Sequence, residues 1–311
     1  MVLEIKNNVL LKNYSTFQIG GKAKYFATIR NESELEEAIK FCKEKNIPFF
    51  ILGGGSNVLF SDKGINGLII KMENKKFNFL ENNKVLAESG CEMKEIVKAT
   101  IERGLAGLEW AGGLPGTLGG AIRGNAGAFG GEIKDCVEKV IAFSQKDNKK
   151  KEYSQKECQF GYRSSIFKKN KEIILSAVLS FKKGDAKELK RKVEEKINYR
   201  KERHPLEYPN AGSIFKNCPL DKIPENVKER FKDKIKFDPF PILPSAVLIA
   251  EAGLIGFKKG GAKISEKHPN FIINFNNATF QDVIYIIKKV KDTVFEKFGV
   301  VLEEEIEIVE F

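Results

Sequence analysis

Two segments of this sequence concentrate glycine densely enough to require a chemical reason. The first covers residues 52–59 and the second covers residues 112–131. Glycine loses more conformational freedom on folding than any other residue, so a dense cluster suits a place where a ligand lies against bare main chain. Successive backbone N–H groups bind a diphosphate well, and hydroxyls such as those of Ser56 and Thr117 add donors. The pair of segments therefore predicts a diphosphate-containing ligand, although the first segment alone fits a plain turn equally well.

Neither glycine segment matches the two commonest nucleotide-binding motifs. Gly53-Gly54-Gly55 is not followed by a glycine at Val58, so the pattern G-x-G-x-x-G fails. The P-loop pattern G-x-x-x-x-G-K-[ST] does not occur either. The sequence thus favours a diphosphate site of a different architecture.

Composition excludes several functional classes. The 311 residues carry 53 basic and 42 acidic side chains, for a formal charge of +11, but the lysines alternate with glutamates as on solvated helix faces. No nucleic-acid reader motif accompanies this charge, and no apolar run approaches the roughly 18 residues of a membrane span. The start of the chain lacks the pattern of a signal peptide, so a cytoplasmic location is expected. Five cysteines without a C-x-x-C pair predict reduced thiols, and two histidines predict no metal site.

The elements that must position the glycine segments indicate an α+β protein. Helical spacing of apolar residues predicts helices at 33–45, 92–103, 186–203 and 281–298, the first with Ser33 and Glu36 as a capping box. Apolar or alternating stretches predict strands at 49–52, 67–72, 137–143, 173–181 and 300–309. The strands do not alternate regularly enough with helices for one doubly wound sheet. A domain boundary is expected near residue 200, before His204-Pro205.

Five further motifs follow the glycine segments in a fixed order along the chain. They are Phe160-Gly161-Tyr162-Arg163-Ser164-Ser165, Asn210-Ala211-Gly212-Ser213-Ile214-Phe215-Lys216-Asn217, Ala250-Glu251-Ala252-Gly253, Lys267-His268-Pro269-Asn270-Phe271, and Leu302-Glu303-Glu304-Glu305. With the glycine segments, this ordered set resembles the UDP-N-acetylenolpyruvoylglucosamine reductase family, in its second, shorter type. The resemblance covers residues 13–309.

The resemblance implies a fold and a set of cofactor contacts. The fold would be a two-subdomain FAD-binding domain of the vanillyl-alcohol oxidase type, at 1–80 and 81–200, followed by a C-terminal α+β substrate-binding domain at 201–311. FAD would be bound without a covalent link. The residues that the resemblance assigns to FAD are Leu52, Gly53, Gly54, Gly55, Ser56, Asn57, Gly113, Pro115, Gly116, Thr117, Gly120, Ala121, Asn125 and Gly127.

The resemblance also implies a reaction. NADPH would reduce FAD, and the reduced flavin would pass hydride to the methylene carbon of an enolpyruvyl UDP-sugar in peptidoglycan synthesis. Arg163 would stabilise the charge that develops on the carboxylate, because a guanidinium offers a planar fork. Ser213 would donate a proton to the enolate carbon, and Glu305 would act as a second acid or orient water. If residues 300–309 form a strand, Glu303 and Glu305 share one face and Glu304 lies on the other.

The resemblance also implies a set of substrate contacts. Tyr162, Lys216, Asn217 and Glu251 match substrate-binding positions, with Lys216 facing a diphosphate, whereas His268 is interpreted as a packed, hydrogen-bonded residue. The stretch 218–244 is longer than the family pattern, which leaves a lid or an elaborated loop as alternatives. The expected partners are the UDP-sugar and NADPH alone, with no nucleic acid, no membrane and a monomeric chain.

Three other functions are consistent with parts of the sequence. An oxidase of the same fold would often attach its flavin through a histidine or cysteine, but no histidine precedes His204. A basic nucleic-acid-binding module would need clustered charge with stacking aromatic residues. A non-catalytic sugar-nucleotide sensor would keep the glycine segments but lose Arg163, Ser213 or Glu305, and all three are present.

Overall fold

The computed structural model describes residues 3–237 and 240–311. The first two residues of the predicted segment 1–80, and two residues of the stretch 218–244, lie outside the described residues. The helices are α1 Glu32–Lys45, α2 Met93–Glu102, α3 Leu118–Gly124, α4 Ile166–Asn170, α5 Ala186–Arg203, α6 Glu225–Arg230, α7 Ser245–Glu251 and α8 Phe280–Phe298.

The strands are short and numerous. They are β1 Ile5–Leu10, β2 Lys22–Ile29, β3 Phe49–Leu52, β4 Val58–Phe60, β5 Ile65–Met72, β6 Phe77–Leu80, β7 Lys84–Glu88, β8 Leu105–Ala106, β9 Gly127–Ala128, β10 Gly131–Glu132, β11 Val137–Ser144, β12 Lys149–Ser154, β13 Ile173–Ser180, β14 Lys182–Lys183, β15 Asn210–Ser213, β16 Cys218–Pro219, β17 Ile242–Leu243, β18 Lys258–Lys259, β19 Ala262–Ile264, β20 Phe271–Asn274 and β21 Glu307–Val309. This mixture of helices and mostly antiparallel strands confirms the α+β class. No helix in the described part of the chain is long and apolar enough to cross a membrane.

The chain divides into two compact units. The first unit comprises Met1–Val9, Ala23–Gly54 and Asn66–Tyr199. It contains a four-stranded sheet in the order β1-β2-β5-β3, in which β3 and β5 are parallel. It also contains a five-stranded antiparallel sheet in the order β12-β11-β13-β7-β6. Helix α2 and residues 118–122 pack on a core formed with β7, β11 and β13, which anchors the second glycine segment.

The second unit comprises Leu10–Lys22, Gly55–Ile65 and Arg200–Phe311. Its main sheet has the order β15-β20-β19-β18, and β21 pairs in parallel with β4. The apolar face of α8 covers this unit's core, with Val283, Ile286, Val290 and Val294 all fully or almost fully buried. The core thereby supports β15, which carries Ser213.

The ends of the two best-patterned helices follow from local hydrogen bonds. In α8, Thr279 accepts a hydrogen bond from the backbone N–H of Asp282, and Gly299 ends the helix in the left-handed conformation, as the sequence predicts. The predicted cap of α1 is wrong. Asn31, not Ser33, accepts the bond from Glu34, whose own carboxylate accepts from the N–H of Arg30. The helix is therefore capped two residues earlier than predicted, because an asparagine already stands before the first helical turn.

The predicted strand at 300–309 is wrong over most of its length. Only Glu307–Val309 pair with another strand, whereas Glu304 makes an isolated bridge with Phe215. Residues 301–303 and 305 lie outside any strand, and the backbone bends at Ile306, directly before the paired residues. Glu303 and Glu305 do not lie in a strand, so strand alternation does not place them on one face.

The long stretch 218–244 is folded into the second unit. It contains β16, α6, β17 and two 3₁₀ turns, and Ile223, Val227 and Phe231 belong to the buried core. The described residues of this stretch therefore form part of the unit's structure, which supports neither a lid nor a loop that merely decorates the surface.

Candidate active site

The two glycine segments meet at Gly53 and Gly54 in the first unit. A β-carbon added to Gly54 would lie 2.6 Å from the Cα of Gly116, and one added to Gly53 would lie 2.6 Å from Oγ1 of Thr117. Real β-carbons essentially never approach other atoms this closely. The two main chains therefore approach each other at a distance that only glycine allows.

Thr117 provides a direct test of whether these residues fit a phosphate-bearing cofactor. Its side chain is 4% exposed, and its hydroxyl finds no hydrogen-bond partner among residues 3–237 and 240–311. A buried hydroxyl without a partner costs about 1–3 kcal/mol, so such a group in a native fold calls for an explanation. A phosphate oxygen beside Gly53 would accept this hydrogen bond, and the residues present fit the pyrophosphate of FAD.

The remaining assigned residues of the second segment frame this position. Gly113 and Gly116 adopt left-handed φ angles of 72° and 105°, on either side of the exposed Pro115. The carbonyl of Gly116 accepts from Met93 N at 3.0 Å, and that of Thr117 accepts from Ala121 N at 2.9 Å. Gly120 is exposed, and its β-carbon position has ordinary clearance from Thr117. This segment is thus fastened to α2 and α3 while Gly113 and Gly120 stay exposed.

The end of the first segment lies in the second unit. Leu52 is buried at the end of β3 in the first unit, whereas Gly55, Ser56 and Asn57 follow in the second. Gly55 has a φ of 68° and packs on the carbonyl of Tyr14, which a β-carbon would meet at 2.0 Å. The amide of Asn57 donates to the carbonyl of Glu305 at 2.9 Å, and its carbonyl accepts from Glu307 N at 3.0 Å. Asn57, which the resemblance assigns to FAD, is therefore hydrogen-bonded to the segment that carries Glu305.

Arg163 lies on a tight turn in the first unit. The turn is closed by hydrogen bonds between Gly161 and Ser164 in both directions, at 3.0 and 3.1 Å. Arg163 has a left-handed φ of 52°, and its guanidinium donates to the carbonyl of Gly127 at 2.9 Å. The guanidinium also lies 5.0 Å from the ring centre of the half-buried Tyr162. Two residues assigned to different roles, Arg163 and Gly127, are thus in contact.

Ser213 and Glu305 lie on adjacent segments of the second unit. Ser213 is the last residue of β15, and the next residue, Ile214, accepts hydrogen bonds from Glu305 N at 2.7 Å and from Ile306 N at 3.4 Å. Gly212 has a φ of 77°, and nothing lies within 4 Å of its β-carbon position, so the approach to Ser213 is open there. The unit thereby brings together the predicted proton donor and the predicted acid.

The four predicted substrate contacts have different surroundings. Lys216 Nζ forms an ion pair with Glu303 at 3.1 Å, and Glu303 also pairs with Lys222 at 2.7 Å. These two ammonium groups, Lys222 foremost, lower the pKa of Glu303. Asn217 Oδ1 accepts from Ser245 N at 3.3 Å, and Glu251 pairs with Arg230 at 3.4 Å. Lys216 therefore lies in a cationic cluster that carries one carboxylate.

Two polar residues near the glycine segments, Lys71 and Glu132, are not among the site residues predicted from the sequence. Lys71, on β5, donates from Nζ to the carbonyl of Gly53, and burial lowers the pKa of its ammonium. Glu132, on β10, is 4% exposed and accepts from Asn125 at 3.1 Å. Glu132 could have been suspected, because it directly follows the second glycine segment, but Lys71 left no signal in the sequence.

The histidines and cysteines take no part in the glycine segments. His268 packs against Phe271 and His204 with ring centres 4.7 and 5.4 Å apart, which confirms a packed residue, but its Nδ1 has no hydrogen-bond partner in the described part of the chain. Burial lowers the pKa of His268 to about 4. All five cysteines are buried and unpaired. No cluster of potential metal ligands occurs among the described residues.

Comparison with known proteins matches both parts of the chain. Residues 23–146 match the family model of an FAD binding domain, and residues 204–309 match that of the C-terminal domain of UDP-N-acetylenolpyruvoylglucosamine reductase. These matches confirm the predicted combination of an FAD-binding domain with a C-terminal domain.

Full-length relatives agree with the domain matches. The UDP-N-acetylenolpyruvoylglucosamine reductase of Caldanaerobacter subterraneus subsp. tengcongensis is 42% identical over 302 residues, which cover 97% of this chain and 92% of the relative. The enzyme of the same name from Clostridium novyi is 40% identical over 308 residues, with 98% and 92% covered. The crystal structure of that reductase from Thermus caldophilus superimposes with a TM-score of 0.77 at 29% identity, over 99% of both chains. The chain therefore belongs to the UDP-N-acetylenolpyruvoylglucosamine reductase family.

Proposed function

We propose that this chain reduces UDP-N-acetylglucosamine enolpyruvate to UDP-N-acetylmuramate, with NADPH as reductant and non-covalent FAD as the hydride carrier, in peptidoglycan synthesis. The observation that carries the proposal is the 2.7 Å hydrogen bond from Glu305 N to Ile214 O, which holds the backbone of Glu305 beside the residue that follows Ser213. The family membership supplies the reaction class. When bound, FAD accepts hydride from NADPH and supplies it to the methylene carbon of the enolpyruvyl group.

The side chains handle the charge and the proton of this reaction. As hydride reaches the methylene carbon, the carbon–carbon double bond is lost and negative charge develops on the adjacent carbon and its carboxylate. Arg163 stabilises that charge through its guanidinium. Ser213 Oγ gives its proton to the carbon and recovers one from solvent, and Glu305 acts as a second acid or orients the water.

The cofactor contacts follow from the glycine segments. We assign the pyrophosphate of FAD to the main chain of residues 53–57 and 113–117, with the Thr117 hydroxyl as an added donor. Non-covalent binding is supported by the thiols of the first unit, because burial raises the pKa of both Cys136 and Cys158 to about 12 and suppresses the thiolate that a covalent link would need. Acid precipitation of the holoenzyme should release all flavin into the supernatant.

We further propose FAD-binding roles for residues 1–80 and 81–200 and a substrate-binding role for residues 201–311. The proposed setting is a cytoplasmic monomer without nucleic-acid or membrane partners. The basic helix α5 supports this setting, because Arg191 is paired with Glu188 at 2.7 Å and also with Glu195, so its charge is balanced locally.

The test separates flavin reduction from substrate reduction under anaerobic conditions. NADPH should bleach the flavin of the wild type and of Ser213→Ala at similar rates, whereas the enolpyruvyl UDP-sugar should restore the colour of Ser213→Ala about 10²–10⁴-fold more slowly. Ser180→Ala is the matched control, since Ser180 is also half-buried at the last position of an antiparallel strand. Recovery of Ser213→Ala at the wild-type rate would remove Ser213 as the proton donor.

A further inference from the structure

The turn that carries Arg163 needs support from its surroundings. A residue with a β-carbon rarely adopts a left-handed φ, and Arg163 has a φ of 52°. Such a conformation persists where neighbouring groups determine it. In the first unit, Lys168 Nζ donates to the carbonyl of Arg163 at 2.8 Å, and Ser165 Oγ donates to the carbonyl of Arg123 at 2.8 Å. These bonds fasten the C-terminal side of the turn.

Asn125 and Gly127 fasten the other side of the turn. Asn125 Nδ2 donates to the carbonyl of Gly161 at 3.0 Å, where the turn begins. Gly127 O accepts from Arg163 Nη2 at 2.9 Å, at the tip of the side chain. Asn125 therefore holds the backbone where the turn begins, and Gly127, two positions later in the sequence, holds the guanidinium of Arg163.

The orientation of the Asn125 amide is fixed by its partners. Asn125 is fully buried, its Oδ1 accepts from Lys134 N at 3.3 Å, and its Nδ2 donates to Glu132 Oε1 at 3.1 Å as well as to Gly161. A flipped amide would place its NH₂ against the Lys134 N–H and its oxygen against two acceptors. The carboxylate of Glu132 thus holds the amide in the one orientation that supports the turn.

Glu132 is itself held in place, close to the guanidinium. It is 4% exposed, pairs with Lys134, and stands opposite Gly127 in the β9–β10 hairpin. A β-carbon on Gly127 would lie 2.7 Å from Cγ of Glu132 and 3.4 Å from Nη1 of Arg163. Both side chains therefore flank the same bare glycine.

We propose that Asn125 and Glu132 are positioning residues that hold the guanidinium of Arg163 in the place where it meets the substrate carboxylate. This inference rests on the proposed function. Asn125 would act through its side-chain bonds to Gly161 and Glu132, and Glu132 would act through Asn125 and the Gly127 hairpin. A displacement of about 1 Å at a catalytic group can reduce a rate a hundredfold, so the effect should be large although neither residue reacts.

The test uses Glu132→Gln, which nearly preserves the size of the side chain and removes its charge. With NADPH, flavin bleaching should stay within about twofold of the wild-type rate, whereas recovery with the enolpyruvyl UDP-sugar should slow about tenfold to a hundredfold. The matched control is Glu172→Gln, since the Glu172 side chain is 9% exposed and paired with Lys151 in the same unit. The control should recover at the wild-type rate.

A binding measurement separates a positioning role from loss of stability. Calorimetric titration of the oxidised holoenzyme compares UDP-N-acetylmuramate with UDP-N-acetylglucosamine, which lacks the carboxylate that Arg163 would meet. The ratio of the two dissociation constants should shrink about tenfold in Glu132→Gln and stay unchanged in Glu172→Gln. If the wild type itself shows no preference for the carboxylate, the proposed function fails. If the wild type shows it and Glu132→Gln keeps it, the positioning role is refuted.

A double-mutant cycle with Arg163→Lys completes the test. If Glu132 acts through Arg163, adding Glu132→Gln to Arg163→Lys should slow flavin recovery by less than about twofold. Fully additive effects would contradict the proposal. Should Glu132→Gln fail to fold, Glu132→Asp keeps the charge but withdraws the carboxylate from Asn125 and Gly127, and the same split between bleaching and recovery is expected of it.

Discussion

Replacing Gly54 by alanine should weaken FAD binding through steric conflict between the two glycine segments. The added β-carbon would lie 2.6 Å from Cα of Gly116 and 3.2 Å from its carbonyl carbon, whereas ordinary contacts begin at 3.4 Å. The two main chains must therefore separate by about 0.8 Å. Overpacking of this kind costs about 1–3 kcal/mol in a packed site. Gly54 is exposed, so the cofactor-free protein can relax and most of the cost should fall on the FAD complex.

The expected change in affinity follows from that cost. At about 1.4 kcal/mol per factor of ten, the dissociation constant of FAD should rise about fivefold to 150-fold. It can be measured by flavin fluorescence during titration of the deflavinated protein, with urea unfolding of the same samples as the stability reference. Gly124→Ala is the matched control, because no atom lies within 4 Å of its β-carbon position at the end of α3. An unchanged dissociation constant in Gly54→Ala, at unchanged stability, would refute close contact of the segments at the cofactor.

Three further predictions concern charge. Since the pKa of His268 is about 4 in the fold against 6.5 unperturbed, the unfolded chain binds more protons between these values, and the free energy of unfolding should fall by about 1–2 kcal/mol as pH drops from 6.5 to 4. Urea unfolding of His268→Gln should show a shallower pH dependence, and an identical slope would contradict this. Glu303→Gln should lower KM for the UDP-sugar about twofold to fivefold at low salt by unmasking Lys216, an effect that high salt should abolish; an unchanged KM would separate Lys216 from the diphosphate. Lys71→Met should weaken FAD binding about fivefold by freeing the Gly53 carbonyl, whereas Lys71→Arg should bind nearly normally; equal affinities would exclude this role.

The features with a local physical cause were predictable from the sequence. The density of glycine predicted main chain that another group approaches closely, namely a ligand, and at Gly54 the group that excludes a β-carbon is Gly116 of the other segment. Helices α5 and α8 end at the predicted residues, since Pro205 and Gly299 terminate their apolar periodicity. The helical cap at Asn31 was missed because Ser33 and Glu36 offer an equally good pattern two residues later.

The features that depend on distant partners were not predictable. The alternation of acidic and apolar side chains at 305–308 contributed to the prediction of a strand over 300–309, but only Glu307–Val309 find a partner strand, in β4. The pairing of Lys216 with Glu303 spans 87 positions. The position of Glu132 directly after two glycines is visible in the sequence, but its hydrogen bond with Asn125 and its ion pair with Lys134, which accompany its burial, are not. Residue type alone does not indicate which acid is buried.

The central claim is that this chain carries hydride from NADPH to an enolpyruvyl UDP-sugar through FAD. The most direct test is an anaerobic titration of the isolated holoenzyme, followed by flavin absorbance. NADPH should bleach the yellow protein, and the enolpyruvyl UDP-sugar should restore the colour and yield a product heavier by one hydride and one proton. A folded protein that stays colourless with added FAD, or a reduced flavin that the UDP-sugar leaves bleached, would contradict the account.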